Sequence, residues 1–290
     1  MKQSEVVKEY EAFLRTLAKK VKDPACGFFG PGSMAWQVNG ELTLGFGVLR
    51  ALFMQVAHPK VAQGVGEHSD FRRKPFTRAY NTLTAQQVIV FGTCDEAIEA
   101  LKRIYARHLA VRGKLPEPLA GEDAAYRAID QDLLMWVFAT LIDSVVKTYQ
   151  EFVRPFSAKE LQVFYEESKF FAKLMGIEVE YVPLNWSDFE VWMAQKLQTE
   201  AIRVTPLAKE IGDSLLRLPV PIFKPFNSLL AGAALPPKLR AEFGFAHSHL
   251  SERLYRTLSM LSRFAVRFLP RRLRTSPTYW QALRRVKDTN

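Results

Sequence analysis

Apolar residues recur at three- and four-residue spacing along most of the chain, which is the pattern of amphipathic helices. Proline and glycine separate most of these segments and so mark the breaks between them. The stretch 178–182 alternates briefly, but Pro183 follows it, which is typical of a connector rather than a strand. The spacing predicts helices near residues 3–21, 41–57, 78–90, 94–112, 122–128, 130–152, 157–175, 187–203, 206–217, 236–243 and 248–269. We therefore expect a single large all-α domain.

Composition places this helical chain among soluble proteins. It has 290 residues, of which 48% are hydrophobic, enough to bury a large core. The first twenty residues lack the apolar centre of a secretory signal, so we expect no export. The longest apolar runs are interrupted by Asp143 or by Lys224 and prolines, which disfavours a transmembrane span. Two cysteines, Cys26 and Cys94, form neither a disulfide framework nor a CxxC pair, so a cytoplasmic location is expected.

Several common functional motifs are missing from the sequence. There is no GxxxxGK[ST] loop, and the glycines of 27–32 lack the spacing of a dinucleotide turn. Paired Glu-x-x-His motifs, which a di-iron bundle needs, do not occur. No serine or cysteine lies in a recognisable nucleophile elbow. Nucleotide, di-iron and hydrolase chemistry are therefore disfavoured.

His108 is the candidate ligand that the periodicity itself singles out. Thr93 and Glu96 form a capping box, and His108 falls on the apolar stripe of the helix that follows, which ends before Gly113. An inward neutral imidazole is a common ligand of a metal or of haem iron. A hydrogen-bonded core histidine would produce the same pattern, so the residues alone leave both interpretations open.

A longer constellation surrounds this helix between residues 30 and 152. Its members are Gly30-Pro31-Gly32-Ser33, Trp36, Arg50-Ala51-Leu52, Gln55, His58-Pro59, Gly64-Val65, His68-Ser69, Arg78, Thr82, Phe91-Gly92, His108, Gly113, Tyr126, Asp130 and Trp136-Val137. The order and spacing resemble the catalytic domain shared by MpaB-type oxygenases and the latex clearing protein, a haem b rubber oxygenase. The resemblance continues through Tyr149, Phe152, Ser157 and Tyr165 to 235–240 and covers roughly residues 28 to 245.

This resemblance implies a globin-like helical core around a haem pocket. It implies that His108 is the axial ligand of a haem b iron, and that Arg78 and Thr82 lie on the distal side, where dioxygen binds. Their four-residue spacing puts both on one face of a helix. An exposed arginine and an ordinary helical threonine would show the same spacing, so this alternative also stays open. The implied activity is that of a haem-dependent oxygenase or oxidoreductase acting on an apolar small molecule. Aromatic residues could line the pocket, although a helical core would use them equally well: Phe46, Phe53, Phe91, Trp136 and Phe138.

The sequence also departs from the rubber oxygenases. Asn81 stands where their iron-capping lysine would be, and the carboxylate implicated in rubber cleavage has no clear counterpart beyond Glu67, a few residues away. Polymer cleavage is therefore not expected. Phe138 replaces the histidine that follows Trp-Val in many relatives.

Two further histidines need separate interpretations. His58 precedes Pro59, a position that disfavours helical geometry, and we expect a structural hydrogen bond there, with His58 as the reserve iron ligand. His68, flanked by Glu67 and Asp70, is interpreted as a polar loop residue.

The C-terminal segment carries most of the excess charge. The chain has a formal net charge of +10, and residues 253–290 hold nine arginines and one lysine against Asp288. One helical face is apolar, made of Leu254, Leu258, Leu261, Phe264, Ala265 and Phe268, with arginines beside it. This pattern is typical of a helix on an anionic membrane surface, and equally of a basic helix docked on the core by its apolar face. No nucleic-acid module is present, so nucleic acid is disfavoured as a partner.

The sequence thus predicts three parts: an N-terminal helix in 1–27, a catalytic domain in 28–245, and a basic amphipathic helix and tail in 246–290. Three functions remain open. The first is a haem-dependent oxygenase, the second a haem-binding carrier or sensor without turnover, and the third a helical membrane-surface protein.

Overall fold

The computed structural model describes residues 3–73, 75–117, 123–246 and 248–289, apart from the side chains of Pro75, Arg78, Ala79 and Thr289. Helices dominate these residues, so the prediction of a single all-α domain is confirmed. The globin-like form of its core stays a prediction. The helices are α1 Gln3–Ala18, α2 Met34–Asn39, α3 Val48–Val56, α4 Pro59–His68, α5 Pro75–Phe91, α6 Cys94–Ala110, α7 Gln131–Phe152, α8 Ala158–Leu174, α9 Trp186–Gln198, α10 Pro206–Leu216, α11 Lys224–Ala234, α12 Pro237–Phe243, α13 His249–Phe268, α14 Arg271–Arg274 and α15 Pro277–Thr289.

The longest helix, α7, lies at the centre of the main core. Its Trp136 and Phe138 are fully buried, and the Trp136 indole donates a hydrogen bond to the backbone oxygen of Met54 on α3 at 3.1 Å. Arg50 of α3 forms a buried ion pair with Asp143 of α7 at 2.5 Å. Helices α3 and α7 are therefore joined by polar as well as apolar contacts.

A second core lies between α1 and α6. Tyr10, Leu14 and Leu17 of α1 pack against Ile98 and Leu101 of α6. The side chain of Gln3 donates to the backbone oxygen of Ala106, and Arg15 pairs with Asp95, so the two helices run in opposite directions. Helix α1 thus covers one face of α6 along its length.

The last helices return to the body of the protein. In α15, Tyr279 and Ala282 pack with Trp36 and Phe91 in a third apolar cluster. An isolated β-bridge joins Glu41 to Thr275. All three predicted parts of the chain therefore pack into one helical body.

One predicted helix is wrong. The segment predicted as a helix over 122–128 contains strand β2 (Ala125–Arg127), which pairs antiparallel with β1 (Arg112–Lys114). Gly113 lies opposite Tyr126, and a side chain at Gly113 would come within 2.7 Å of both the Tyr126 hydroxyl and a Glu67 carboxylate oxygen. Only glycine therefore fits at this point, where the small hairpin packs on the end of α4.

Other boundaries differ from the prediction for local reasons. The predicted helix 41–57 is divided into a 3-10 segment (Leu42–Gly47) and α3. At the junction Gly47 packs closely on Thr148 of α7, where a side chain would not fit. The stretch 178–182 contains a single 3-10 turn. Helices α2, α4, α11, α14 and α15 were not predicted. None of the helices in the described ranges is long and apolar enough to cross a membrane.

Candidate functional site

His108 lies near the C-terminal end of α6. The helix begins with the predicted capping box: the Thr93 hydroxyl accepts from the Glu96 backbone N–H, and the Glu96 carboxylate accepts from the Thr93 N–H. It ends at Ala110, and the N–H of Val111 donates to the His108 backbone oxygen at 3.1 Å. The predicted position of His108 in the last part of the helix is confirmed.

The imidazole of His108 is suited to donate a lone pair. Its side chain is half-buried, and burial lowers the pKa of His108 below its usual 6.5. It is therefore neutral at pH 7, the form that binds a metal. Within the described ranges, no hydrogen bond or ion pair engages this imidazole.

The predicted distal residues, Arg78 and Thr82, lie on α5, the helix before α6. The side chain of Arg78 falls outside the described part of the structure, and Thr82 is exposed. Helices α5 and α6 are in contact and are joined by only two residues, so they run antiparallel. At 1.5 Å per residue, Arg78 and His108 each lie about 20 Å from the link, and Thr82 about 14 Å. Along the axes of the two antiparallel helices, Arg78 therefore lies at about the same distance from the link as His108. Thr82 lies about one helical turn closer to the link.

The first half of α5 presents apolar side chains to solvent. Every described side chain from Phe76 to Thr84 is exposed, including Phe76, Tyr80 and Leu83. The Phe76 and Tyr80 rings stack with their centroids 6.2 Å apart. An exposed aromatic stretch therefore lies in the same half of α5 as Arg78 and Thr82, but on the opposite side of the helix.

The second half of α5 lines a small, partly open cavity. Gln86 and Val90, which continue the four-residue stripe of Arg78 and Thr82, face this space of about 30 Å³ together with Glu167 of α8. The Glu167 carboxylate accepts from the backbone N–H groups of Met34 (3.1 Å) and Ala35 (2.6 Å) at the start of α2.

Glu167 is a half-buried acid that the sequence did not single out. Burial raises the pKa of Glu167, and the two backbone hydrogen bonds oppose that rise. One signal could have found it, because Glu167 interrupts the apolar face that Phe164 and Phe171 define on α8. Its visible role is to cap α2, a short helix that packs on α5 and α8.

His58 is buried at the junction between α3 and α4. It is the N-cap of α4, and its Nδ1 accepts a hydrogen bond from the Lys60 backbone N–H at 3.2 Å. A neutral imidazole whose Nδ1 accepts carries its proton on Nε2, so neither nitrogen has a lone pair to spare for a metal. This is the structural hydrogen bond that the sequence favoured.

His68 is the last residue of α4 rather than a loop residue. Its Nε2 lies 3.1 Å from the backbone oxygen of Arg112, so this nitrogen is the donor. Beside it, the Glu67 carboxylate accepts from the hydroxyl of the buried Tyr126, and this bond and one from Gln63 lower the pKa of Glu67. His68 and Glu67 thus connect the end of α4 to the β1–β2 hairpin, which follows α6.

The aromatic residues proposed for a pocket wall belong to separate parts of the core. Phe53, Trp136 and Phe138 lie in the main cluster, Phe91 packs with Trp36, and Phe46 packs with Phe152. They therefore act as core residues here. No cluster of three or more metal-ligating side chains occurs in the described ranges, so His108 would act as a single ligand.

Comparison with known families agrees with the sequence pattern. The family model described as the catalytic domain of ER-bound oxygenase mpaB/B' and rubber oxygenase matches residues 36–267. The match runs from α2 into α13 and includes the α5–α6 hairpin. No curated protein and no solved structure is significantly similar to the chain.

Proposed function

Because the chain belongs to the catalytic-domain family of the mpaB/B' and rubber oxygenases, we propose that it is a haem b-dependent oxygenase with His108 as the axial iron ligand. Membership of the family makes the chain an oxygenase catalytic domain. The haem, its ligand and the substrate are the parts that we propose here.

The hydrogen bonding of three described histidines, His58, His68 and His108, supports the choice of His108. The imidazole of His58 caps a helix and that of His68 donates to a backbone oxygen, whereas the imidazole of His108 is neutral and engages no described residue. The absence of a CxxCH motif excludes covalent attachment of a c-type haem.

The observation that carries the proposal is the neutral, half-buried imidazole of His108, which engages no described residue and lies on the helix packed against the one that carries Arg78 and Thr82. Phe76, Tyr80 and Leu83 form an apolar surface on a helix that packs beside α6. Because these residues lie across α5 from Arg78 and Thr82, an apolar substrate rather than the haem would cover this surface, and it would gain the free energy of its burial, about 25 cal/mol per Å².

The chain's own residues have distinct proposed roles. Bound haem iron would supply the activation of dioxygen. His108 would hold the iron, and the Thr82 hydroxyl and the Arg78 guanidinium would supply hydrogen-bond donors to the site. The apolar residues of α5 would exclude water and favour an apolar small molecule as substrate. A cytoplasmic location is part of the proposal, supported by the two free thiols, whose pKa values burial raises to about 11.

The test is an absorption spectrum of purified protein titrated with haemin, followed by oxygen-uptake measurements with apolar candidate substrates. We expect a Soret band that saturates at about one haem per chain and substrate-dependent oxygen uptake. Stoichiometric haem without uptake for any substrate would favour a carrier or sensor. A failure to bind haem would refute both.

A further inference from the structure

Helix α13 is attached to the protein by a face of mixed polarity. Tyr255 and Leu258 pack with Phe152, and Val266 belongs to the main core. The Tyr255 hydroxyl donates to the Glu151 carboxylate, and the Ser262 hydroxyl donates to the backbone oxygen of Phe152 at 2.8 Å. Arg263 also donates to the Glu151 backbone oxygen at 2.8 Å. Tyr255, Ser259 and Val266 are the buried residues of the helix. Leu258 of the predicted apolar face therefore packs on the core, whereas Leu254, Leu261, Phe264 and Phe268 do not.

Most of the apolar face consequently points away from the protein. Leu261, Phe264 and Phe268 are 61%, 66% and 67% exposed, and Leu250 and Leu254 extend the same stripe toward the N-terminus. Leu258 and Ala265, which the sequence assigned to this face, lie at its edge and are half-buried. At 1.5 Å per residue the 20-residue helix carries this stripe over about 30 Å. We call these five exposed residues the outer stripe.

A basic surface runs beside the outer stripe. Between residues 249 and 274 the chain has seven arginines and one acidic residue, Glu252. Arg253 and Arg267 are exposed and form no ion pair with any residue in the described ranges. Arg271 and Arg272 extend the basic surface past the end of the helix. The exposed half of α13 is thus apolar along one side and positively charged along the other.

We propose that α13 docks on the surface of an anionic phospholipid bilayer, with the outer stripe among the acyl chains and the arginines on the lipid phosphates. The opposite charges of the lipid and the helix favour this partner. A symmetric contact between two copies would place the same arginine-lined stripe against itself and bring like charges together. The protein's own C-terminal helix α15 is packed elsewhere, on Trp36 and Phe91. This inference goes beyond the proposed oxygenase activity and does not depend on haem.

The test is co-sedimentation of the full-length protein with vesicles of phosphatidylcholine, alone or mixed with phosphatidylglycerol. We expect binding to the mixed vesicles that weakens as salt is raised, because salt screens the arginines. The double variant Phe264→Ser/Phe268→Ser removes the two largest apolar side chains of the outer stripe. The double variant Arg253→Gln/Arg267→Gln removes two charges. Each pair should weaken binding by about tenfold or more.

A matched control is available on another surface. Val179 and Leu184 are 76% and 74% exposed and lie outside α13, so Val179→Ser/Leu184→Ser should bind like the wild type. All three variants change exposed side chains, and circular dichroism should show unchanged folding. The proposal is overturned if the wild type does not sediment with anionic vesicles, or if the control weakens binding as much as the α13 variants. A second result would also overturn it. In that result the wild type does not bind vesicles, sedimentation velocity shows that it is a dimer, and Phe264→Ser/Phe268→Ser is a monomer.

Discussion

Helices α6 and α13 have similar sequence patterns and opposite environments. Both begin with a capping box, and both repeat apolar residues at three- and four-residue spacing. Helix α6 buries its apolar face, with Ile98 and Leu101 packed under α1. Helix α13 leaves its outer stripe in solvent and docks through Tyr255, Ser259 and Ser262.

The difference shows what helical periodicity determines and what it leaves open. The repeat of apolar residues defines where a stripe lies on a helix, but the neighbouring helix decides whether that stripe is covered. Helix α1 offers α6 an apolar surface of Tyr10, Leu14 and Leu17. The end of α7 offers α13 a carboxylate and backbone oxygens, which favour hydroxyl and guanidinium donors instead.

The largest effect expected from this comparison comes from one substitution made in both helices. Leu101→Ala removes a side chain that is 2% exposed and leaves a cavity, so the free energy of unfolding should fall by about 3 kcal/mol. Leu261→Ala removes a side chain that is 61% exposed, so the free energy of unfolding should change by less than about 0.5 kcal/mol. Urea denaturation of both variants measures the difference. Equal losses would mean that the outer stripe is packed in the folded protein.

A second substitution distinguishes a role of Thr82 in turnover from a role in the folding of α5 and α6. Thr82→Val retains the size of the side chain and removes the hydroxyl, so we expect about tenfold slower turnover at unchanged haem content. Thr84→Val is the control, because Thr84 is also exposed on α5 but lies on a different face. Oxygen uptake and the haem spectrum are the readouts. Loss of haem with normal turnover per haem would make Thr82 a structural residue.

Much of the α5–α6 region could be predicted from the sequence because its signals are local. The capping box of Thr93 and Glu96 and the glycine at 113 delimit α6 closely, and the predicted 94–112 differs from the structure by two residues. His108 fell on the predicted stripe for the same reason.

The missing parts depend on contacts between distant segments. Helix α4 begins at Pro59, which we interpreted only as the end of the preceding helix, although proline is favoured in a first helical turn. The pairing of β1 with β2 depends on a close approach at Gly113. The contact of Glu167 with α2 joins residues that are far apart in the sequence, because its partner Met34 lies 133 residues before it. The direction of the outer stripe likewise depends on which groups α7 presents.

A smaller effect is expected from the capping boxes of the two helices. Thr93→Ala removes the hydroxyl that accepts from Glu96 and should cost about 1 kcal/mol of stability. Ser248→Ala removes the corresponding hydroxyl of α13 and should cost less in global unfolding, because α13 is attached by fewer buried side chains. Thermal denaturation of the two variants compares them. A larger loss for Ser248→Ala would contradict the view that α13 is a peripheral helix.

The smallest effect concerns the pH dependence of the haem-free protein. Burial lowers the pKa of His108 in the folded state, so the unfolded chain binds a proton at a higher pH than the folded one. Stability should therefore be complete above the unfolded pKa of about 6.5 and fall as the pH drops through it. His108→Gln should lose this part of the dependence. Parallel stability curves for wild type and variant between pH 7 and about pH 5 would show that His108 is not buried from water.

Haem binding by a His108→Gly variant tests the central claim most directly. Removing the imidazole should abolish or strongly shift the Soret band, and adding free imidazole should restore it, because the small molecule can occupy the ligand position. His58→Gly, which removes a helix cap instead, should keep the axial ligation of the wild type in whatever fraction folds. An unchanged haem spectrum in His108→Gly, or a loss of ligation confined to His58→Gly, would contradict the assignment of His108.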